Sequence, residues 1–466
     1  MTDDPRMRGE APPPAVRRTA AFLSERGVWF LLGRNHVARS CRDAARKRTR
    51  LGELGIPLWD ELKSFFGVAH RPDGGRLYLV VHCRGDRALD LDRVAESVGT
   101  AVPPTRLDPP ALAELGMAYG LVNPFEPWAL DGQLLAAPVL QVFDADLLRP
   151  IGVPGTVMTN AGDLTWSVEL HAGELARLLD HAIVADVSRA DPREPARPRW
   201  ATAPVTFGIV TGNGPESGML LWQSLNHAVR ETLGDASRGD FAMPRVIVQS
   251  LPELGLTMEL DQRHEEVWPV LRSAVAELCR SGARVVAVAC NTTPHFGPEL
   301  RKICGEYGSR FVSMPEVVGA WLRRERIDRI ALLGVKTVAE LGPWSPYRDP
   351  LAGIDVEIPE AGTMARIHAL AYEVKAMGPS HTSLNRLRDV LQKEIRSEVV
   401  VLALTELSLL LDIQRRPQRS DRLIVDGIRL YADALAEQYT GVPMEQTRPF
   451  AGRTSANEHA QNTKNR

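Results

Sequence analysis

From Val205 onward the chain alternates short apolar runs with amphipathic stretches: VTFGIVTG, SGMLLWQSLNHAVRETL, RVIVQSL, EEVWPVLRSAVAELCRSG and RVVAVACN, then RIALLGV and VVVLALTEL. Strands that read as nearly continuous apolar runs are buried on both faces, so this alternation predicts parallel sheets covered by helices on both sides. The run at Val399 repeats the character of the run at Val285, each closing in a threonine-containing turn before another helix. Two similar α/β lobes are expected from that repetition.

The first half reads differently. LKSFFGV, RLYLVVHCRG, PVLQVFD and VMTNAGDLTWSVEL are expected strands in a less regular order, with LDLDRVAESVG and AGELARLLDHAI as helices, and a mixed α+β domain fits them. At 466 residues the chain exceeds what one core supports. The proline- and charge-rich DVSRADPREPARPRWATAP reads as a linker. The expected division is therefore 1–15 disordered, 16–185 a mixed α+β domain, 186–203 a linker, 204–446 the paired lobes, and 447–466 a disordered tail. Within the pair, lobe 1 is expected at about 204–308 plus 418–446 and lobe 2 at about 309–417.

A formal net charge of -2 gives no global attraction to nucleic acid or anionic membranes, so any polyanion contact must be local. Five cysteines, odd in number and without CxxC spacing, argue against a disulfide framework or a zinc site and for a reducing compartment. MTDDPRMRGEAPPPAV lacks the apolar core of a signal peptide, and no run is long enough to span a bilayer. A cytoplasmic location, with no membrane contact, is the expectation.

In open α/β sheets ligands sit beyond the carboxyl ends of strands, where VVAVACNTTPHF places Cys290. Pro294 suits a first helical turn with Thr293 as its cap, and a thiol beside a helix N-terminus is favoured as thiolate. The alternative is a buried small residue finishing a strand. GIVTGNGPESG follows the first strand of this half, and its glycines, Gly212 and Gly214 around Asn213, bare backbone N–H groups able to hold a carboxylate. A tight turn explains the same residues. Cys279 and Cys304 lie within amphipathic helices and read as buried.

These segments carry a resemblance. GIVTGNGPES, VAVACNTTPHF and LALTELSLLL stand in the order of the aspartate/glutamate racemase superfamily, and the likeness runs from about Val205 to Val442, closing on IVDGIRLYADALAEQY. It implies two lobes enclosing a small amino acid or carboxylic acid, no pyridoxal phosphate or other cofactor, no metal, and a cysteine from each lobe on opposite sides of the reacting carbon. Cys290 matches the first, with Asn291, Thr292 and His295 beside it. At the second position the family's glycine-cysteine-threonine-glutamate is here Ala403, Leu404, Thr405 and Glu406. Leucine carries no proton, and each positioned acid or base is worth about 10²- to 10⁴-fold. Three readings follow: Thr405, Glu406 or His295 supplies the second proton transfer; Cys290 acts alone in an isomerisation or decarboxylation; or the lobes only bind. Glu406 also reads as an N-terminal charge that suits the helix dipole. Members of the family commonly form homodimers.

In the first half, Lys63 opens an apolar strand, and YGLVNPFEPWAL sets Gly120, Asn123 and Pro124 in a G-x-x-x-P loop. A lysine beside loop amides suits a phosphate or an ester oxyanion, whereas a snorkelling lysine and an ordinary turn explain the pattern as well. From about Ala20 to Ala182 the chain resembles bacterial aminoacyl-tRNA deacylases of the prolyl-tRNA editing family, on LKSFFGV, LYLVVHCRGDRALDLDRVAESVG, GLVNPF and GTVMTNAGDLTWSVELHAGELARLL. The resemblance implies hydrolysis of a mischarged aminoacyl ester, with Lys63 and the Gly120–Pro124 loop in the pocket and Thr159, Asn160 and Gly162 near it. Glu126 and Pro127 depart from the family's continuation. The basic run HVARSCRDAARKRTR suits an RNA backbone or a solvated helix face.

Overall fold

The computed structural model describes residues 11–442 apart from 51–52, 118–119, 126–128, 131–132, 135–138, 179–181, 235–236, 238 and 414–421. The residues before 11, the tail from Thr447, and Glu126 and Pro127 lie outside the described residues. The chain divides into two units, Met1–Thr202 and Ala203–Arg466.

The first unit is mixed α+β, built on two sheets. In the larger, Leu62–His70 pairs antiparallel with Arg76–Arg84, which continues parallel to Val139–Asp144 and then Ile183–Ala185. The other joins Phe30–Arg34, Trp166–His171 and Thr156–Asp163, so the expected strand VMTNAGDLTWSVEL is a hairpin of two. The AGELARLL segment winds as a 3-10 turn, Ala172–Leu178, where an α-helix was expected. Helix Pro14–Glu25 begins inside the stretch expected to be disordered, because Val16 and Leu23 are fully buried against the second sheet's core.

The segment 186–203 is no linker. Ser188–Ala190 pairs antiparallel with Arg87–Leu89, Arg199–Thr202 is helical, and Trp200 is buried. Its charges are a reason to expect exposure, yet Asp191, Glu194 and Arg197 each find an opposite. Arg197 bonds Asp86 at 2.5 and 2.9 Å and Asp146 at 2.9 and 2.6 Å, and Ser188 Oγ donates to Asp144 at 2.6 Å. Pairing of this kind is what allows buried charge.

The second unit is α/β with two parallel four-stranded sheets. In the first, the neighbours run Arg245–Ser250, Thr206–Thr211, Val285–Val288, Arg310–Val312; in the second, Asp355–Glu357, Arg329–Gly334, Val399–Ala403, Leu423–Asp426. Both have the order 2-1-3-4, which puts a switch in winding direction between first and third strands. The lobe division shifts from expectation: Arg310–Val312 belongs to the first sheet and Leu423–Asp426 to the second. The final helix, Gly427–Thr440, does return to the first lobe, where the Tyr431 hydroxyl donates to Val312 O and accepts from the Val288 N–H at 3.3 Å. No helix among the described residues is long and apolar enough to cross a membrane.

Candidate active sites

In the second unit, both switch points open onto one small cavity. The loop after the first strand brings Asn213, the turn after the third brings Cys290, Asn291 and Thr292, and the second lobe brings Val335, Leu404, Thr405 and Glu406. Thr257 and Lys375 complete much of the remaining wall. The volume is about 20 Å³, room for about one water. An amino acid is far larger, so its admission requires the lobes to part.

The strand Val285–Val288 stops two residues short of Cys290, which turns back through its own N–H to Val288 O at 2.8 Å. The sulfur sits among polar groups. Thr292 offers its N–H at 3.3 Å and its hydroxyl at 3.0 Å, and Thr257 Oγ1 is 4.0 Å away. Asn291 is held from behind, its Oδ1 accepting from the Tyr347 hydroxyl at 2.5 Å. Burial pushes the Tyr347 hydroxyl well above the usual phenol range, so it stays a donor.

The glycine loop has a steric cause. Gly212 and Gly214 have φ of +116° and +131°, and a Cβ on Gly212 would lie 2.0 Å from Leu251 O. Neither glycine lines the cavity. They turn Asn213 into it, and although Asn213 is 3% exposed, neither side-chain polar atom has a hydrogen-bond partner among the described residues. An orphaned buried amide costs about 1–3 kcal/mol, which a bound polar group would relieve. The helix Pro215–Leu233 starts directly after this loop, so its N-terminal dipole adds attraction for an anion.

Opposite, Glu406 is buried and its Oε1 lies 3.2 Å from Lys375 Nζ, which also donates to Asn213 O at 3.0 Å. Lys375 was not singled out from the sequence. The signal was available: Thr363, Ile367, Ala371 and Lys375 follow one another at i, i+4 along the helix Ala361–Met377, and the first three are buried. A charge continuing an apolar stripe needs a buried partner.

Two expectations fail here. His295 does not line the cavity; its ring stacks on Trp344 with centroids 4.6 Å apart, and burial lowers its basicity. Thr293 caps nothing: the turn Thr293–Phe296 is 3-10, Thr292 takes the cap position without a side-chain bond, and Thr293 Oγ1 is buried without a partner among the described residues. Cys279 and Cys304 are buried in the first lobe's core with sulfurs 3.9 Å apart.

In the first unit a cavity of about 750 Å³ is lined by Lys63, Gly120, Thr159 and Asn160, together with Cys41, Arg39, Arg48, Glu61, Arg106, Asp191 and Arg193. Lys63 Nζ donates to the carbonyls of Gly85 and Arg87, which fixes the ammonium at the wall. Asn123 and Pro124 do not line the cavity. Asn123 is structural, its Nδ2 bonding Asn160 Oδ1 at 2.9 Å and its Oδ1 receiving the Phe125 N–H at 2.8 Å, so the loop is tied to the strand Thr156–Asp163. Gly162, φ +94°, packs on Ala15 outside the cavity. Cys41 is no ready nucleophile, since burial pushes its thiol far up.

Within the basic run, Arg48 and Arg50 turn inward while Arg39, Arg42 and Arg46 are exposed. Arg48 makes a buried two-pronged pair with Glu61 at 2.9 and 3.0 Å, while Arg50 bonds Asp60 at 2.7 Å and Glu169 at 2.8 Å. Lys47 pairs with Asp43 and Arg42 with Glu194.

No protein-family model matches the chain. Among solved structures, an aspartate racemase homologue from Pyrococcus horikoshii is similar over 50% of this chain and 98% of its own, at 20% identity and TM-score 0.39. The aspartate racemase of Picrophilus torridus is similar over 51% of this chain and 94% of its own, at 18% identity and TM-score 0.39. A structure described as a candidate trans-editing enzyme for prolyl-tRNA synthetase is similar over 39% of this chain and 100% of its own, at 24% identity and TM-score 0.29.

Proposed function

We propose that the second unit is a cofactor-independent, racemase-like isomerase that moves a proton at the α-carbon of a small amino acid or carboxylic acid through Cys290. The observation that carries this reading is the meeting of the Cys290 sulfur, the orphaned Asn213 amide and the Lys375 ammonium in one cleft between switch points. In the proposed step the thiolate takes the α-proton, forming an S–H bond as the C–H electrons move into the carboxylate. The developing oxyanion is then held by the Asn213 amide and by the backbone N–H groups and dipole at the head of helix Pro215–Leu233. Leu404 offers the opposite face no proton. Return of a proton from that side falls to the Thr405 hydroxyl, 3.3 Å from the Glu406 carboxylate, or to Glu406 once it has taken a proton from the Lys375 ammonium 3.2 Å away; without it, chemistry is one-sided, as in a single-thiol isomerase or decarboxylase.

Incubation in D₂O with a panel of amino acids and small acids tests this. Label is expected at the α-carbon of at least one, and Cys290→Ala should remove it. No label and no decarboxylation with any candidate, or undiminished exchange in Cys290→Ala, defeats the reading and leaves a binding protein.

The first unit we infer to be an aminoacyl-ester hydrolase acting on aminoacyl-tRNA. Its cavity is large enough for an aminoacyl nucleoside, and Lys63 stands on the wall with Gly120 and Asn160. Hydrolysis of mischarged tRNAs is expected to fall at least tenfold in Lys63→Ala; equal rates remove Lys63 from the site.

A further inference from the structure

The cavity of the first unit has two acids on its wall, and they are not equivalent. Glu61 is spent on Arg48, a buried pair with both carboxylate oxygens engaged. Asp191 differs: its side chain is 5% exposed, but its partner Arg193 is 81% exposed. A guanidinium that stands this far out in solvent is readily displaced. Arg193 bonds Asp191 through Nε at 2.9 Å, Nη2 at 2.7 Å and its backbone N–H at 3.0 Å, which keeps the carboxyl well below its usual range and ionised.

Strand pairing brings this carboxylate to the part of the wall that holds Lys63. Lys63 Nζ donates to Arg87 O; Arg87 is paired with Ala190; Asp191 follows Ala190 and anchors its own N–H on Asp86 O at 3.2 Å. A cation and an anion thus share the wall of a cavity of about 750 Å³. An aminoacyl ester of a nucleotide carries the matching pair, a phosphate on one side of the ester and an α-ammonium on the other.

Building on the hydrolase reading above, we propose that Asp191 is a specificity-determining residue that receives the α-ammonium of the aminoacyl group, so that the site takes esters with a free amine and rejects N-acylated ones. A charge-assisted hydrogen bond to a desolvated ammonium makes the preference about ten- to a hundredfold. Acylation removes the charge and two donors, and leaves Asp191 facing a neutral amide.

The test uses the full chain and a non-hydrolysable probe, 3′-aminoacylamino-adenosine in which an amide replaces the ester, with its α-amine free or acetylated. Calorimetry should give at least tenfold tighter binding of the free amine, and Asp191→Asn should erase that preference by weakening only the free-amine probe. Arg193→Ala, which strips the competing guanidinium, should keep or widen it. Equal weakening of both probes in Asp191→Asn marks a merely structural residue, and absence of any preference in the unaltered protein overturns the proposal. Binding is read apart from turnover. A free-amine preference without hydrolysis of any mischarged tRNA sinks the hydrolase reading and spares Asp191, whereas hydrolysis indifferent to N-acetylation does the reverse.

Discussion

Replacing Lys375 with methionine isolates what the charge does for the site in the second unit. The Lys375 and Glu406 side chains are 18% and 4% exposed, with Nζ and Oε1 3.2 Å apart. Methionine keeps the length of the side chain and removes the cation, which leaves the Glu406 carboxylate and the Asn213 carbonyl facing an uncharged thioether. Breaking a buried pair by deleting one partner costs about 3–5 kcal/mol. Lys375 is not sealed from water, so the lower end applies, about 3 kcal/mol. With an m-value near 3 kcal/mol per molar urea, the unfolding midpoint of the affected transition should fall by about 1 M. Adding Glu406→Gln removes the stranded charge, and the double variant should recover to within about 1 kcal/mol of the parent. Urea titration followed by tryptophan fluorescence on all four members of the cycle measures it. A loss under about 1 kcal/mol in Lys375→Met, or a double variant as unstable as the sum of the singles, refutes the claim that these groups support each other.

Two further outcomes follow from charges in the core. Because Arg197 bridges the buried Asp86 and the partly exposed Asp146, Arg197→Ala should destabilise the first unit by about 3 kcal/mol, and a chain ended after Ala185 should melt well below one ended after Thr202; scanning calorimetry of each checks it. Asp433, on the last helix, is raised to about 7 by burial first and by Glu231 and Glu437 next. The folded state therefore holds its proton between about pH 4 and 7 while the unfolded state has lost it, so stability falls as pH rises through that window. Asp433→Asn should match the parent near pH 4 and exceed it well above pH 7 by on the order of 4 kcal/mol, read from urea curves at both values.

Apolar periodicity made the second unit legible because strands buried on both faces leave so few polar positions that the pattern has one solution. Cys290, Asn213, Thr405 and Glu406 could be placed for the same reason: strand ends in a parallel sheet face one way. What escaped depended on partners far along the chain. The segment 186–203 looked like a linker because Asp191, Arg193 and Arg197 are charged, and nothing local announces that Asp86 and Asp146 wait for Arg197. Arg48 and Arg50 were part of a basic run for the same reason, although Glu61, Asp60 and Glu169 neutralise them. His295 was judged by its neighbour Cys290 in sequence, whereas its ring direction is set by Trp344, nearly fifty residues later.

Within the second unit, the last of the described helices roofs the sheet that is made first. Tyr431 and Tyr439, which reach Val288, Val312 and Phe207, emerge during synthesis more than two hundred residues after the strand Thr206–Thr211. At about 5–20 residues per second that interval is roughly 10–40 s, in which the underside of the opening sheet stays uncovered and open to chaperones or to misassociation between nascent chains. A premature stop that spares every group around Cys290 would therefore still cripple the molecule, because the missing piece is the lid on a floor laid long before.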